Sequence, residues 1–111
     1  MDITYGNREG QYFTEWRFDI LKDLLNLIHT GPCPPHTETV ELAEVKIWYD
    51  AREDFHRLSF QARGHLVEVQ LYKVLSSKID GKEHWTGCPR SNMYEYANSI
   101  RRELGIQPRP A

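Results

Sequence analysis

The chain has 111 residues, 40% of them apolar, 27% charged and 12% aromatic, and a net charge of -2 with its histidines neutral. This length makes one ordinary domain, not two, and so many aromatics set it apart from disordered chains. The charge weighs against a partner gripped mainly through its phosphates. Two cysteines are too few for a disulfide scaffold, and the longest apolar run, within Ile20 to Ile28, is broken by Lys22, Asp23 and Asn26 and is no membrane span.

Along the chain, Ile3-Thr4-Tyr5 and Gln11-Tyr12-Phe13 are β-prone pieces flanking a Gly/Asn turn, a pattern that fits a short hairpin or an irregular arm. Thr14 to His29 reads as an amphipathic helix, with Thr14 as N-cap and Glu15 in the first turn. One apolar stripe is Phe13, Trp16, Ile20, Leu24 and Leu27, and a second is Leu21, Leu25 and Ile28. Gly31-Pro32 stops the helix, and the prolines that follow make Thr30 to Thr39 a loop.

Leu42 to Asp50 alternates, with Ala43, Val45, Ile47 and Tyr49 on one side. A turn at Arg52-Glu53-Asp54 leads to a second strand, Arg57 to Arg63, with Leu58, Phe60 and Ala62 inward. Gly64-His65 reads as the next turn, and Leu66 to Leu75 as a third strand with Val67, Val69 and Leu71 inward and Tyr72 outward. Such short connections force antiparallel pairing. Asp80-Gly81 is a strong hairpin signal leading into a short fourth strand, Lys82 to Thr86, closed by the loop Gly87-Cys88-Pro89-Arg90. Asn92 and Glu95 have capping-box spacing, Met93, Ala97, Ile100 and Leu104 form a helical stripe, and Gly105 sits where a helix-ending glycine belongs.

The expected fold is α+β: a two-layer sandwich with two helices on one face of a three- to four-stranded antiparallel sheet, in the order α-β-β-β-(β)-α. Residues 1–106 form the domain and 107–111 a flexible tail. This order is similar to that of double-stranded-RNA-binding domains. That family's lysine cluster at the start of the last helix is replaced by Ser91-Asn92-Met93-Tyr94, with Arg90 alone nearby. The likeness implies no RNA contact and extends only to the order of elements.

Two features carry chemistry. Cys33 and His36 stand at C-x2-H spacing and His84 and Cys88 at H-x3-C spacing, in two loops that together offer a Cys2His2 set for zinc. The other readings of these residues are a Cys33–Cys88 disulfide, a His-activated thiol, or two unpaired thiols. His56 and His65, at strand edges, read as solvated surface residues. The second feature is the sheet face opposite the helices. Alternation puts Lys46, Trp48, Arg57, Gln61, Arg63, Gln70 and Tyr72 there, with Glu44 and Glu68, and pairs Trp48 with Tyr72 across strands. Trp, Tyr and Arg are the types that anchor interfaces.

Nucleotide-binding loops, zinc-protease helices and hydrolase elbows are missing from the sequence. The expected function is therefore a non-catalytic binding protein that contacts a protein partner, or a second copy of itself, through the open sheet face. The alternatives are a single-stranded nucleic-acid binder on that face and a protein stabilised by zinc on Cys33, His36, His84 and Cys88. No other cofactor is expected. The lack of a secretory signal pattern at Met1-Asp2-Ile3-Thr4-Tyr5 points to the cytoplasm.

Overall fold

The computed structural model describes residues 2–6, 15–50 and 52–106. Its elements are β1 (Ile3–Gly6), α1 (Glu15–Thr30), β2 (Ala43–Asp50), β3 (Phe55–Ala62), β4 (His65–Leu71), β5 (Leu75–Ile79), β6 (Lys82–Cys88), a 3-10 turn (Arg90–Asn92) and α2 (Met93–Glu103). The six strands form one sheet in sequence order, β1 to β6. The α+β class and the two helices agree with the sequence. The sheet does not: it is six-stranded and mixed. The element order also departs from that of double-stranded-RNA-binding domains, since a strand precedes α1 and five follow it.

Two local misreadings account for the difference. Ile3–Gly6 pairs in parallel with β2, Tyr5 opposite Ile47, so α1 is a crossover within a β-α-β unit and not the first element. The proposed hairpin partner, Gln11 to Phe13, and the N-cap Thr14 lie outside the described residues. The stretch read as one strand from Leu66 to Leu75 folds back at Tyr72-Lys73-Val74, so that Leu71 faces Leu75 across β4 and β5. Both leucines point inward on either reading, and alternation alone cannot see a turn that preserves its phase.

The two-residue turns sit at Arg63-Gly64 and Asp80-Gly81, each with both residues at positive φ. Their register, Ala62 opposite His65 and Ile79 opposite Lys82, makes them tight antiparallel hairpins. The first lies one residue before its expected place, which takes Arg63 out of β3. In β2 a bulge with Glu44 at φ +52 breaks the ladder between Ala43 and Lys46, and Ala43 is exposed where alternation would bury it.

The core lies between the helices and one face of the sheet. From the strands come Val45, Ile47, Tyr49, Leu58, Phe60, Ala62, Val67, Val69, Leu71 and Leu75. From α1 come Phe18, Leu21, Leu24, Leu25 and Ile28, all within 2% of full burial. Trp16, expected in the apolar stripe, is 45% exposed. It lies two residues from Phe18, roughly 200° round the helix, and only one arc can meet the sheet.

Helix α2 buries Tyr96, Ala97, Ile100 and Arg101. Its C-terminus closes as expected: the Gly105 N–H donates to Arg102 O and the Ile106 N–H to Arg101 O, with Ile106 buried. The capping box is not formed. Asn92 ends the 3-10 turn at φ -105 and ψ 29, outside the extended conformation that aims an N-cap side chain, and makes no cap hydrogen bond. Glu95 instead accepts from Arg102 at 2.7 Å. No helix among the described residues is long and apolar enough to cross a membrane.

The loop after α1 turns on Gly31, which is buried at φ +87 and backs onto Thr37. A Cβ at Gly31 would collide with the Thr37 side chain, whose hydroxyl donates to Thr30 O. Gly31→Ala is therefore expected to lower unfolding free energy by about 2–3 kcal/mol, combining left-handed strain with overpacking. Urea titration should show a lower midpoint at unchanged slope.

Candidate interaction surface

Among the described residues, no helix covers the outer face of the sheet. Lys46 and Trp48 project there from β2, Arg57 and Gln61 from β3, and Glu68 and Gln70 from β4. Ser76 and Lys78 continue the face on β5. Register places Trp48 opposite Arg57, and Arg57 opposite Gln70. The Arg57 guanidinium lies 5.6 Å from the Trp48 ring and 4.9 Å from that of Phe55. This is cation–π geometry at a half-buried site. Beside it is a hollow of about 280 Å³ whose lining includes Arg57, Glu68, Gln70, Ser76, Lys78 and Glu83.

The charges of this face are unequally compensated. Glu44 accepts from Gln61 at 3.0 Å, and Lys78 stands in register with Glu68 on one side and Glu83 on the other. Lys46 and Arg57 have no ion pair among the described residues. The face thus presents Trp48 with two cations, Arg57 against its ring and Lys46 two residues away on the same strand, that have no ion pair among the described residues.

Five of the seven residues expected on this surface are there: Lys46, Trp48, Arg57, Gln61 and Gln70. Arg63 occupies the β3–β4 turn and pairs with Glu38. Tyr72 is elsewhere. It sits in the bend after β4, 46% exposed, with Arg17 of α1 at 5.6 Å from its ring and Lys73 at 5.7 Å. The expected Trp48–Tyr72 pair does not form, because β3 lies between β2 and β4 and Tyr72 falls beyond the end of β4.

The four residues of the zinc reading are not brought together. No three His, Cys, Asp or Glu among the described residues converge in a metal-holding group. Cys33 is exposed and Cys88 buried, and both thiols are free. Cys88 is no loop residue: it ends β6 opposite Leu75 and points into the core. Burial pushes its thiol above the ordinary range, the reverse of what a nucleophilic cysteine needs.

His84 lies between two hydroxyls, Ser77 Oγ at 2.9 Å from Nδ1 and Ser99 Oγ at 2.8 Å from Nε2. Burial lowers its pKa, with Glu103 and Ser99 opposing. A Ser–His contact resembles a nucleophile and its base, but the far nitrogen meets a hydroxyl where an orienting carboxylate would stand. The arrangement ties β5 to α2.

Of the two histidines placed at strand edges, His65 fits that description. It contacts Asp80 Oδ2 at 2.6 Å, while the Leu66 N–H donates to Asp80 Oδ1 at 2.9 Å. Those two contacts hold the Asp80 carboxyl below its usual range. His56 does not fit: it is fully buried on the core side of β3. Its phase with Leu58, Phe60 and Ala62 was the available signal. Arg101, also fully buried, shares a helix face with Ala97, and its charge masked that pattern. No protein-family model, curated protein or solved structure matches the chain.

Proposed function

We propose that this chain is a non-catalytic binding protein that contacts a protein partner through the open face of its sheet. The observation that carries the reading is the Arg57–Trp48 cation–π pair, with Lys46 on the same face of β2, neither cation having an ion pair among the described residues, and with Arg57 also lining a polar hollow. Trp and Arg are among the residue types that dominate the energetics of interfaces. Glu68 and Glu83 in the same hollow weigh against a phosphate backbone, which they would repel. The raised Cys88 thiol and the hydroxyl-bracketed His84 supply no activated nucleophile. Two unbridged cysteines suit a reducing compartment such as the cytoplasm.

The test is site-specific photo-crosslinking in the cells that make the protein. A crosslinker at Gln61, on the sheet face, should yield a discrete protein adduct that disappears when Trp48→Ala is added. The same group at Asp19, exposed on α1, should not yield it. Adduct mass separates a second copy of the chain from a different partner. Equal labelling from Gln61 and Asp19, or an adduct indifferent to Trp48, refutes the reading.

A further inference from the structure

Outside the sheet face, the most distinctive surface lies at one end of the sheet. His56 is paired with Leu71 and Leu75 with Cys88, so the 52–54 turn, the 72–74 bend and Pro89-Arg90 gather at the same end. The first turn of α1 lies against them, with Arg17 Nη1 at 3.6 Å from Asp54 Oδ1. Five side chains form a continuous strip there. The Arg90 guanidinium is 4.9 Å from the Trp16 ring and that of Arg17 is 5.2 Å from it. Arg17 is also 5.6 Å from the Tyr72 ring, and the Lys73 ammonium is 5.7 Å from that ring. Trp16 and Tyr72 remain about half exposed, and so does neighbouring Val74 at 39%.

Charge and geometry together select the occupant. Arg17 is neutralised by Asp54, whereas Lys73 and Arg90 have no ion pair among the described residues. The strip is therefore cationic on a chain that is acidic overall. Both rings already carry cations against them, which obstructs the stacking of bases that single-stranded nucleic acid requires. What the strip offers outward is cationic edges beside ring edges and an aliphatic side chain, a match for carboxylates interleaved with apolar groups. Arg90 also lines a cleft of about 500 Å³ between α1 and the start of α2, with Leu27, Pro32, Met93 and Tyr94 among its walls and Asp23 as its one carboxylate. That cleft has room for an apolar side chain beyond the strip.

We infer that the Arg90–Trp16–Arg17–Tyr72–Lys73 strip docks an acidic segment of a partner protein in which carboxylates alternate with apolar residues. The inference stands apart from the role of the sheet face and survives its failure.

Fluorescence anisotropy with three labelled probes tests it: a short peptide alternating Glu with Leu and Phe, the same peptide with Lys for Glu, and an oligothymidine. The acidic peptide should bind with a dissociation constant on the order of 10–100 μM, and the lysine peptide should not bind. Lys73→Glu with Arg90→Glu, both at exposed positions, should weaken binding at least about tenfold, and Lys73→Gln with Arg90→Gln should weaken it less. Lys82→Ser, at the exposed Asp80-Gly81 hairpin at the other end of the sheet, should leave it unchanged. Circular dichroism would verify that each variant is folded. The inference is overturned if the oligothymidine binds more tightly than the acidic peptide, if the two peptides bind alike, or if folded charge-reversed protein binds the acidic peptide as well as the parent does.

Discussion

Arg101→Met is expected to destabilise the fold by about 2–4 kcal/mol and to lower the melting temperature by roughly 10–20 °C. Arg101 is fully buried, and its guanidinium donates to Ile28 O and Glu38 O. The first of these is one of the carbonyls that the end of α1 leaves without a helical partner. Its neighbours are each satisfied separately. Leu27 O accepts from the Gly31 N–H and His29 O from the Val40 N–H, both at 2.9 Å, and Thr30 O accepts from the Thr37 hydroxyl.

Methionine would fill much of the arginine stem's volume but leave two carbonyls without donors. The loss of charge-assisted hydrogen bonds outweighs the relief of returning a cation to neutrality. Arg101 is therefore what joins the loop after α1, at Glu38, to both helices. A lysine, which presents a point charge and no planar fork, should recover only part of the loss. Thermal and urea unfolding would check this, and a methionine variant melting within about 2 °C of the parent would show the clamp to be dispensable.

Acidification between about pH 6.5 and pH 4 is the second large effect expected. His56 is fully buried, edge-on to Phe18 with ring centroids at 4.7 Å, and 5.0 Å from the Tyr49 ring. Neither of its ring nitrogens has a hydrogen-bond partner among the described residues. Burial first, and then the nearby Arg17 cation, lower its pKa to about 4, with Asp54 acting in the opposite sense. In the unfolded chain the same ring titrates near its ordinary value of 6.5.

Within that window the unfolded state binds a proton that the folded state refuses, so stability is complete above pH 6.5 and falls as pH drops toward 4. The full loss is up to about 3 kcal/mol. His84, also depressed by burial, adds in the same direction. The Asp80 carboxyl, held low by His65, contributes a separate loss only as pH falls below its ordinary value of 3.8. His56→Phe should flatten the dependence between pH 7 and 4 in parallel urea titrations. An unaltered slope in that variant would assign the acid sensitivity to other groups.

Much of the candidate surface could be read from two-residue periodicity. Lys46 and Trp48 follow from the alternation of Val45, Ile47 and Tyr49, and Arg57 and Gln61 from that of Leu58, Phe60 and Ala62. Tyr72 was lost because it lies one residue past the end of β4, where phase continues and the strand does not. The strip at the end of the sheet was hidden for a different reason. Trp16 looks like a core residue by composition, and its exposure depends on which arc of the helix meets the sheet.

What the amino-acid order determined by itself is whatever rests on near neighbours: the inward phase of β2, β3 and β4, the hairpin at Asp80-Gly81, the break after α1 and the glycine closure of α2. These features are decided by backbone sterics and by side-chain direction over a few residues. Tertiary structure alone decided that Ile3–Gly6 lies parallel to β2, that Cys88 turns inward opposite Leu75, and that Arg101 clamps two distant carbonyls. Each of these joins segments far apart in the chain, and its stability comes from hydrogen bonds and burial that exist only once both segments are in place.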